Sequence, residues 1–275
     1  MNYREYPVPE ALGRHVACFW RLTDEAPPGD TQTIYPDGHC ELMVHLAAPP
    51  DCWDTRQGWH HQPPDSFAAQ RLSAVRLRGI GRIDCLGLRL KPEASAVLGT
   101  DILQGAREQI VDLAAIDADF SRSFRAATQA FLSGREAVLW DFVAARITCL
   151  NIDEAVAQVV AEIRAHDGAL RIGSLSSGVG LSERSLQTRF LRAIGLTPKE
   201  FARLVRLQAT LRALEGSTSL TDLAADRGFA DQAHASRELR RVTGLAPARL
   251  RRALRDDRGG DVAIRLAAAF VRGHA

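Results

Sequence analysis

The chain is poor in several things, and each scarcity removes a class of function. No run of 18 or more apolar residues occurs in its 275 positions, whereas a helix needs about 20 to cross a bilayer, so no membrane partner is expected. The first residues, M-N-Y-R-E-Y-P-V-P-E, have neither an apolar signal core nor a cleavage site, and the expected location is cytoplasmic. Five cysteines, Cys18, Cys40, Cys52, Cys85 and Cys149, are an odd number, widely spaced and mostly within apolar runs. Reduced core thiols are expected, not a disulfide framework. Together with His39, His45, His60 and His61 they raise the question of a metal, but C-x-x-C pairs and compact ligand spacing are missing. Neither metal nor cofactor is expected. A Walker loop, a G-x-S-x-G elbow and a spaced His-x-His with a carboxylate are also missing, and R-G-I-G-R at 78–82 is too short for a dinucleotide fingerprint. Catalysis has no support, and the expectation is a protein that is not an enzyme.

What is present is ordinary globular composition, 46% apolar and 25% charged, in a length that suits two domains with a core each. Within it, residues 172–247 say nearly the same thing twice. Ile172, Leu175 and Gly180 recur 48 positions later as Leu220, Leu223 and Gly228, and Leu186, Phe190, Gly195 and Pro198 recur 49 later as Ala235, Leu239, Gly244 and Pro247. Each copy has apolar residues three apart, a glycine turn, then a polar cap opening a second helix, which is the pattern of a helix-turn-helix. Ser182 with Ser185, and Asp231, are the candidate caps. If Leu186 and Phe190 face inward, the helical period of about 100° per residue puts Arg184, Ser185, Thr188 and Arg192 on the opposite face, with Gln187 on the flank. In copy two the outward set is Ala233, His234, Arg237 and Arg241, with Ser236 and Arg240 beside it.

Charge follows the repeat. Residues 171–255 hold 16 Arg and Lys against 7 Asp and Glu, a net of +9, so a whole-chain net of +2 leaves about −7 on the rest. That asymmetry is the footprint of a phosphate-binding face. The basic charge is almost all arginine, Lys91 and Lys199 being the only lysines.

Two helix-turn-helix units joined by a long helix at about 198–214, each closing on G-L-x-P, with R-L at Arg206 and Leu207 and G-F at Gly228 and Phe229, resemble the DNA-binding domain of the AraC/XylS family of bacterial transcription regulators. The resemblance covers about 100 residues and implies a sequence-specific DNA-binding regulator of transcription, activator or repressor. Its implied DNA-binding residues are Ser182, Arg184, Ser185, Gln187, Thr188, Arg192, Gln232, His234, Ser236, Arg237, Arg240 and Arg241. Both recognition helices would enter successive major-groove faces roughly 34 Å apart. Where family members carry bulky apolar residues this chain has Ala235 and Leu239, which implies a looser second unit.

The first half shows alternation instead. T-Q-T-I-Y-P-D-G-H-C-E-L-M-V-H-L at 31–46 predicts two strands around a Pro-Asp-Gly turn, and the segments 71–77 and 83–90 predict two more. Leu12, Val16, Phe19 and Trp20 fit a helical stripe running into a strand, 47–70 is expected to be a long connection, and 109–147 has helical periodicity. This half resembles the N-terminal domain of one branch of AraC-family regulators. It implies an α+β chain: a β-rich N-terminal domain backed by helices over 1–145, a connecting segment with the first helix at 146–165, an all-helical double helix-turn-helix domain at 166–257, and a hinge with a short amphipathic tail helix at 258–275. The N-terminal domain would bind an effector or mediate dimerisation. Trp20, Tyr35, Asp37, His39, Glu41, His45 and Arg89 are the candidate ligand residues, since an effector site is an apolar cavity with a few polar groups. Candidate partners are double-stranded DNA and a small-molecule effector, then RNA polymerase and a second copy of the chain. Two alternatives stand beside this reading: an AraC-type DNA-binding protein without an effector, governed by abundance or a partner, and a helical protein-interaction module that binds no DNA.

Overall fold

The computed structural model describes residues 2–25, 29, 31–54, 58–147, 149–214 and 219–255. The expected hinge and tail helix at 258–275 lie outside the described residues. Among the described residues the N-terminal half holds ten strands: β1 (Asn2–Tyr6), β2 (Val16–Glu25), β3 (Thr31–Ile34), β4 (Cys40–His45), β5 (Asp51–Asp54), β6 (Gly58–His61), β7 (Asp65–Ala68), β8 (Val75–Arg78), β9 (Arg82–Leu90) and β10 (Ile110–Asp112). They form two antiparallel sheets, a six-stranded one in the order β1-β2-β9-β4-β7-β10 and a four-stranded one in the order β3-β8-β5-β6.

Both faces of the six-stranded sheet are covered. On one face Phe19, Leu42, Val44, Phe67, Leu86 and Leu88 join a core with Phe120, Phe124, Phe131 and Leu139, which come from the helices α3 (Ala118–Leu132) and α4 (Glu136–Ile147). Phe19 lies 4.8 Å from Phe131 and 6.1 Å from Trp140, ring centre to ring centre. On the other face Cys18, Trp20, Met43 and Cys85 cluster.

That double coverage explains where the sequence pattern misleads. A strand buried on both faces loses its alternation, so Val16, Phe19 and Trp20 mimic a helical stripe, yet they lie in the ten-residue strand β2. Only Glu10–Leu12, a single 3-10 turn, is helical there. The stretch 47–70 is not one long connection, because β5, β6 and β7 lie in it. Residues 31–46 do form two strands around a turn, but β3 and β4 belong to different sheets. The segment 109–147 opens with β10 before its helices, α1 (Thr100–Gly105) and α2 (Leu113–Ile116) flanking that strand. Cys18, Cys40, Cys52 and Cys85 are free and buried, whereas Cys149 is free and exposed.

From residue 154 onward the described chain is helical: α5 (Glu154–Ala165), α6 (Ile172–Gly178), α7 (Glu183–Ile194), α8 (Pro198–Leu214), α9 (Leu220–Asp226), α10 (Gln232–Thr243) and α11 (Pro247–Arg255). Their core, centred on Leu186, Phe190, Phe201, Leu204, Leu214 and Leu239, also takes in Tyr35 from the β3–β4 turn.

Candidate DNA interface and effector cavity

The G-L-x-P word at the end of each copy is a joint between helices. In copy one Gly195 closes α7 at φ 83°, and in copy two Gly244 closes α10 at φ 72°; a residue with a Cβ is strained there. Three positions on, Pro198 and Pro247 open α8 and α11, where a missing N–H costs nothing and the fixed φ suits the first turn. In copy one Thr197 and Glu200 cap each other's N–H, with Thr197 N–H donating to Glu200 Oε2 at 2.9 Å and Glu200 N–H to Thr197 Oγ1 at 3.3 Å.

The recognition helices begin at side-chain caps: Ser182 Oγ accepts from Ser185 N–H at 3.2 Å, and Asp231 Oδ1 from His234 N–H at 2.6 Å. Leu186 and Phe190 in α7, and Ala235 and Leu239 in α10, are fully buried. Arg184, Gln187, Thr188, Arg192, Gln232, Arg237, Arg240 and Arg241 are exposed, and Ser185, His234 and Ser236 are half-buried. Several of these are held locally. The ring of His234 stands edge-on to Phe229 at 5.5 Å, Thr221 Oγ1 donates to Gln232 Oε1 at 3.0 Å, and Arg241 lies 3.5 Å from Glu238. Among the described residues no ion pair holds Arg184, Arg192, Arg237 or Arg240, whereas the exposed Arg189 of α7 is clamped to Asp153 at 2.6 and 2.7 Å.

Other pairs set where the helices sit. Arg203 of α8 grips Glu238 of α10, its Nε donating to Oε2 at 2.5 Å. Arg206 lies over the Phe229 ring at 5.0 Å and donates to Gly228 O at 3.2 Å. The R-L and G-F words are thus the two sides of the contact between α8 and the second unit. Sequence reading missed Arg189, Arg203 and Asp153 as positioning residues; the 35-residue separation of Arg203 from Glu238 leaves no local signal.

Between the two sheets lies a cavity of about 160 Å³. Trp20, Tyr35, Asp37, His39, Glu41, His45 and Arg89 all line it, joined by Met43, Leu77 and Gln62, which the sequence did not single out. Met43 was within reach, since it alternates with Glu41 and His45 on β4. Arg89 is buried and donates to Glu41 Oε1 from Nε at 2.9 Å and from a terminal nitrogen at 2.6 Å, and it lies 3.5 Å from Asp37. Trp20 Nε1 donates to the same Glu41 oxygen at 3.1 Å. The indole can lie flat across β9 only because residue 87 is glycine, where a Cβ would come within 2.2 Å of the ring. Burial raises the pKa of Glu41, with Arg89 only partly opposing it. At Asp37 burial also pushes upward, but Arg89 and His39 outweigh it and hold the carboxyl well below its usual range. Burial, and Arg125 after it, lowers His45 to about 4, so that its ring is neutral near pH 7. Burial pushes the Cys18 thiol up to about 12 and Cys85 well above its ordinary value, which removes both as nucleophiles.

The wall of the cavity is also the seat of the helical half. Gln208 of α8 donates from Nε2 to Pro36 O, Gly38 packs on Phe201 and Leu204, and Arg164 of α5 reaches His39 Nε2 at 3.2 Å. Arg107, just after α1, pairs with Glu200 at 2.5 Å. Among the described residues no group of three His, Cys, Asp or Glu is placed to hold a metal, and no helix is long and apolar enough to cross a membrane.

A β-rich half seated on two capped helix-turn-helix units with exposed arginines defines a DNA-binding regulator. The family described as "Helix-turn-helix domain" matches residues 175–253, and the family described as "Domain of unknown function (DUF6597)" matches residues 4–106. A probable AraC family transcriptional regulator from Rhodopseudomonas palustris is 31% identical, the match covering 38% of this chain and 99% of that one with a TM-score of 0.34. An AraC-type regulator from Chromobacterium violaceum is 24% identical, covering 38% and 96% with a TM-score of 0.36. ToxT from Vibrio cholerae is 12% identical, covering 85% and 97% with a TM-score of 0.47. No curated protein matches the chain. The chain belongs to the AraC family of helix-turn-helix transcription regulators.

Proposed function

We propose that the chain reads a specific operator with α7 and α10 and that a small molecule in the N-terminal cavity modulates this binding. The observation that carries the reading is the double role of residues 35–39: they line the cavity on one side and hold α8 and α5 on the other. A ligand that shifts this turn acts directly on the helix that joins the two recognition units. Arg184, Gln187, Thr188 and Arg237 are the proposed base readers, because arginine and small polar side chains suit major-groove edges. Arg192, Arg240 and Arg241 sit later on their helices as proposed phosphate contacts, with Ser182, Ser185, Gln232, His234 and Ser236 shaping the helix entries. The cavity residues Trp20, Tyr35, Asp37, His39, Glu41, His45 and Arg89 are the proposed effector wall.

Selection from a random DNA pool by the full chain, followed by footprinting, tests the DNA half. Two short protected boxes about one helical turn apart support it, and no enrichment, with or without candidate effectors, overturns it.

A further inference from the structure

The charge of Arg89, at one end of the cavity, is already matched. Asp37 and Glu41 line the cavity with Arg89 and Arg71; Arg89 is engaged by both carboxylates, and Arg71 donates to the Glu108 backbone O at 2.5 Å, its buried Nε having no hydrogen-bond partner among the described residues. At the end formed by His45 and Gln62 an ionic group would lose its hydration and meet only a neutral ring and a neutral amide. That end holds a pair of unmet polar groups. His45 is 7% exposed and Gln62 5% exposed, both line the cavity, and the Nε2 atoms of both lack a hydrogen-bond partner among the described residues. They share one end of it, because His45 N–H donates to Pro64 O at 2.8 Å, two residues beyond Gln62. Much of the remaining wall is apolar, including Trp20, Leu22, Ile34, Met43, Val75 and Leu77. The volume of about 160 Å³ is close to the roughly 150 Å³ that accommodates a benzene ring.

We propose that the cavity takes an uncharged molecule of about one six-membered ring bearing a hydroxyl, its ring against Trp20 and Met43 and its oxygen held by His45 and Gln62. A hydroxyl both donates and accepts, so it satisfies the pair for either imidazole tautomer while the amide presents its NH2. The proposal rests on the reading of this cavity as an effector site and gives that site its ligand chemistry.

Calorimetric titration of the full chain near neutral pH with para-cresol, para-xylene, para-toluate and para-methylbenzylamine tests it. The expected result is that para-cresol binds at least about tenfold more tightly than para-xylene, the margin of one or two buried hydrogen bonds, and that the two charged analogues bind more weakly than either. Gln62→Leu and His45→Phe erase the cresol margin and leave xylene binding unchanged. Should Gln62→Leu fail to fold, Gln62→Met, closer in shape, gives the same comparison, with a cooperative melt as the check. Equal binding of cresol and xylene overturns the oxygen site, and tighter binding of toluate or the amine overturns the uncharged class, both leaving the cavity as a binding site. No binding by any of the four overturns the cavity as an effector site as well.

Discussion

At the residue scale, two arginines on one helix differ in what holds them. Arg237 is exposed with no ion pair among the described residues, whereas Arg241 lies 3.5 Å from Glu238. Arg237→Ala is expected to weaken operator binding by about 1–3 kcal/mol and relax preference at one half of the site, as read by titration against the selected operator and random DNA. Equal losses on both would mean phosphate contact only. His45 carries a pH signature. Its folded pKa of about 4 lies below the ordinary 6.5, so the unfolded chain takes up a proton that the folded chain refuses. Its stabilising share is whole above pH 6.5 and is lost as pH falls from 6.5 towards 4, by about 3 kcal/mol. His15 and His39 are lowered as well, so denaturant titrations of His45→Gln against the parent chain isolate the effect. The variant should lose less stability over that window, and parallel curves would refute the assignment.

At the element scale, α7 depends on core packing and α10 on a clamp. Phe190 is fully buried and its ring lies 5.8 Å from that of Phe201. Phe190→Ala should cost about 3–5 kcal/mol, seen as a lower melting temperature by circular dichroism. The Arg203–Glu238 pair is partly exposed, so its share of stability is under about 1 kcal/mol. Its work is orientation. Arg203→Ala is therefore expected to leave melting nearly unchanged while protection of one footprint box fades and the other persists. Loss of both boxes together would show that the pair holds more than α10.

At the scale of the whole molecule, the cavity and the recognition helices meet through the turn at 35–39. Gln208 is buried, and its amide reaches Pro36 O. Gln208→Leu should keep operator binding in the absence of effector and blunt the change that effector causes, measured as the ratio of the two affinities. An unchanged ratio would place the coupling elsewhere, with the Arg164–His39 contact next in line. Salt dependence belongs to this scale too: replacing one of the proposed phosphate contacts, Arg192 or Arg240, should lower the slope of log affinity against log salt by about 0.9.

The doubled glycines, prolines and caps of residues 172–247 determine two helix-turn-helix units by themselves, because helix ends are local chemistry between residues three or four apart. α8 was legible to its ends, and the outward faces of α7 and α10 followed from a period of 3.6. The alternation of β4 likewise placed Glu41 and His45 on one side. Only the tertiary structure decided that β3 and β4 part into different sheets, that β2 is a strand buried on both faces, and that Gln62 joins His45 at one end of a cavity. Strand partners, buried ion pairs such as Arg89–Glu41 and the seat of α8 on Pro36 join positions 48 and 172 apart in sequence. Such contacts are chosen by packing of the whole chain, and no local pattern encodes them.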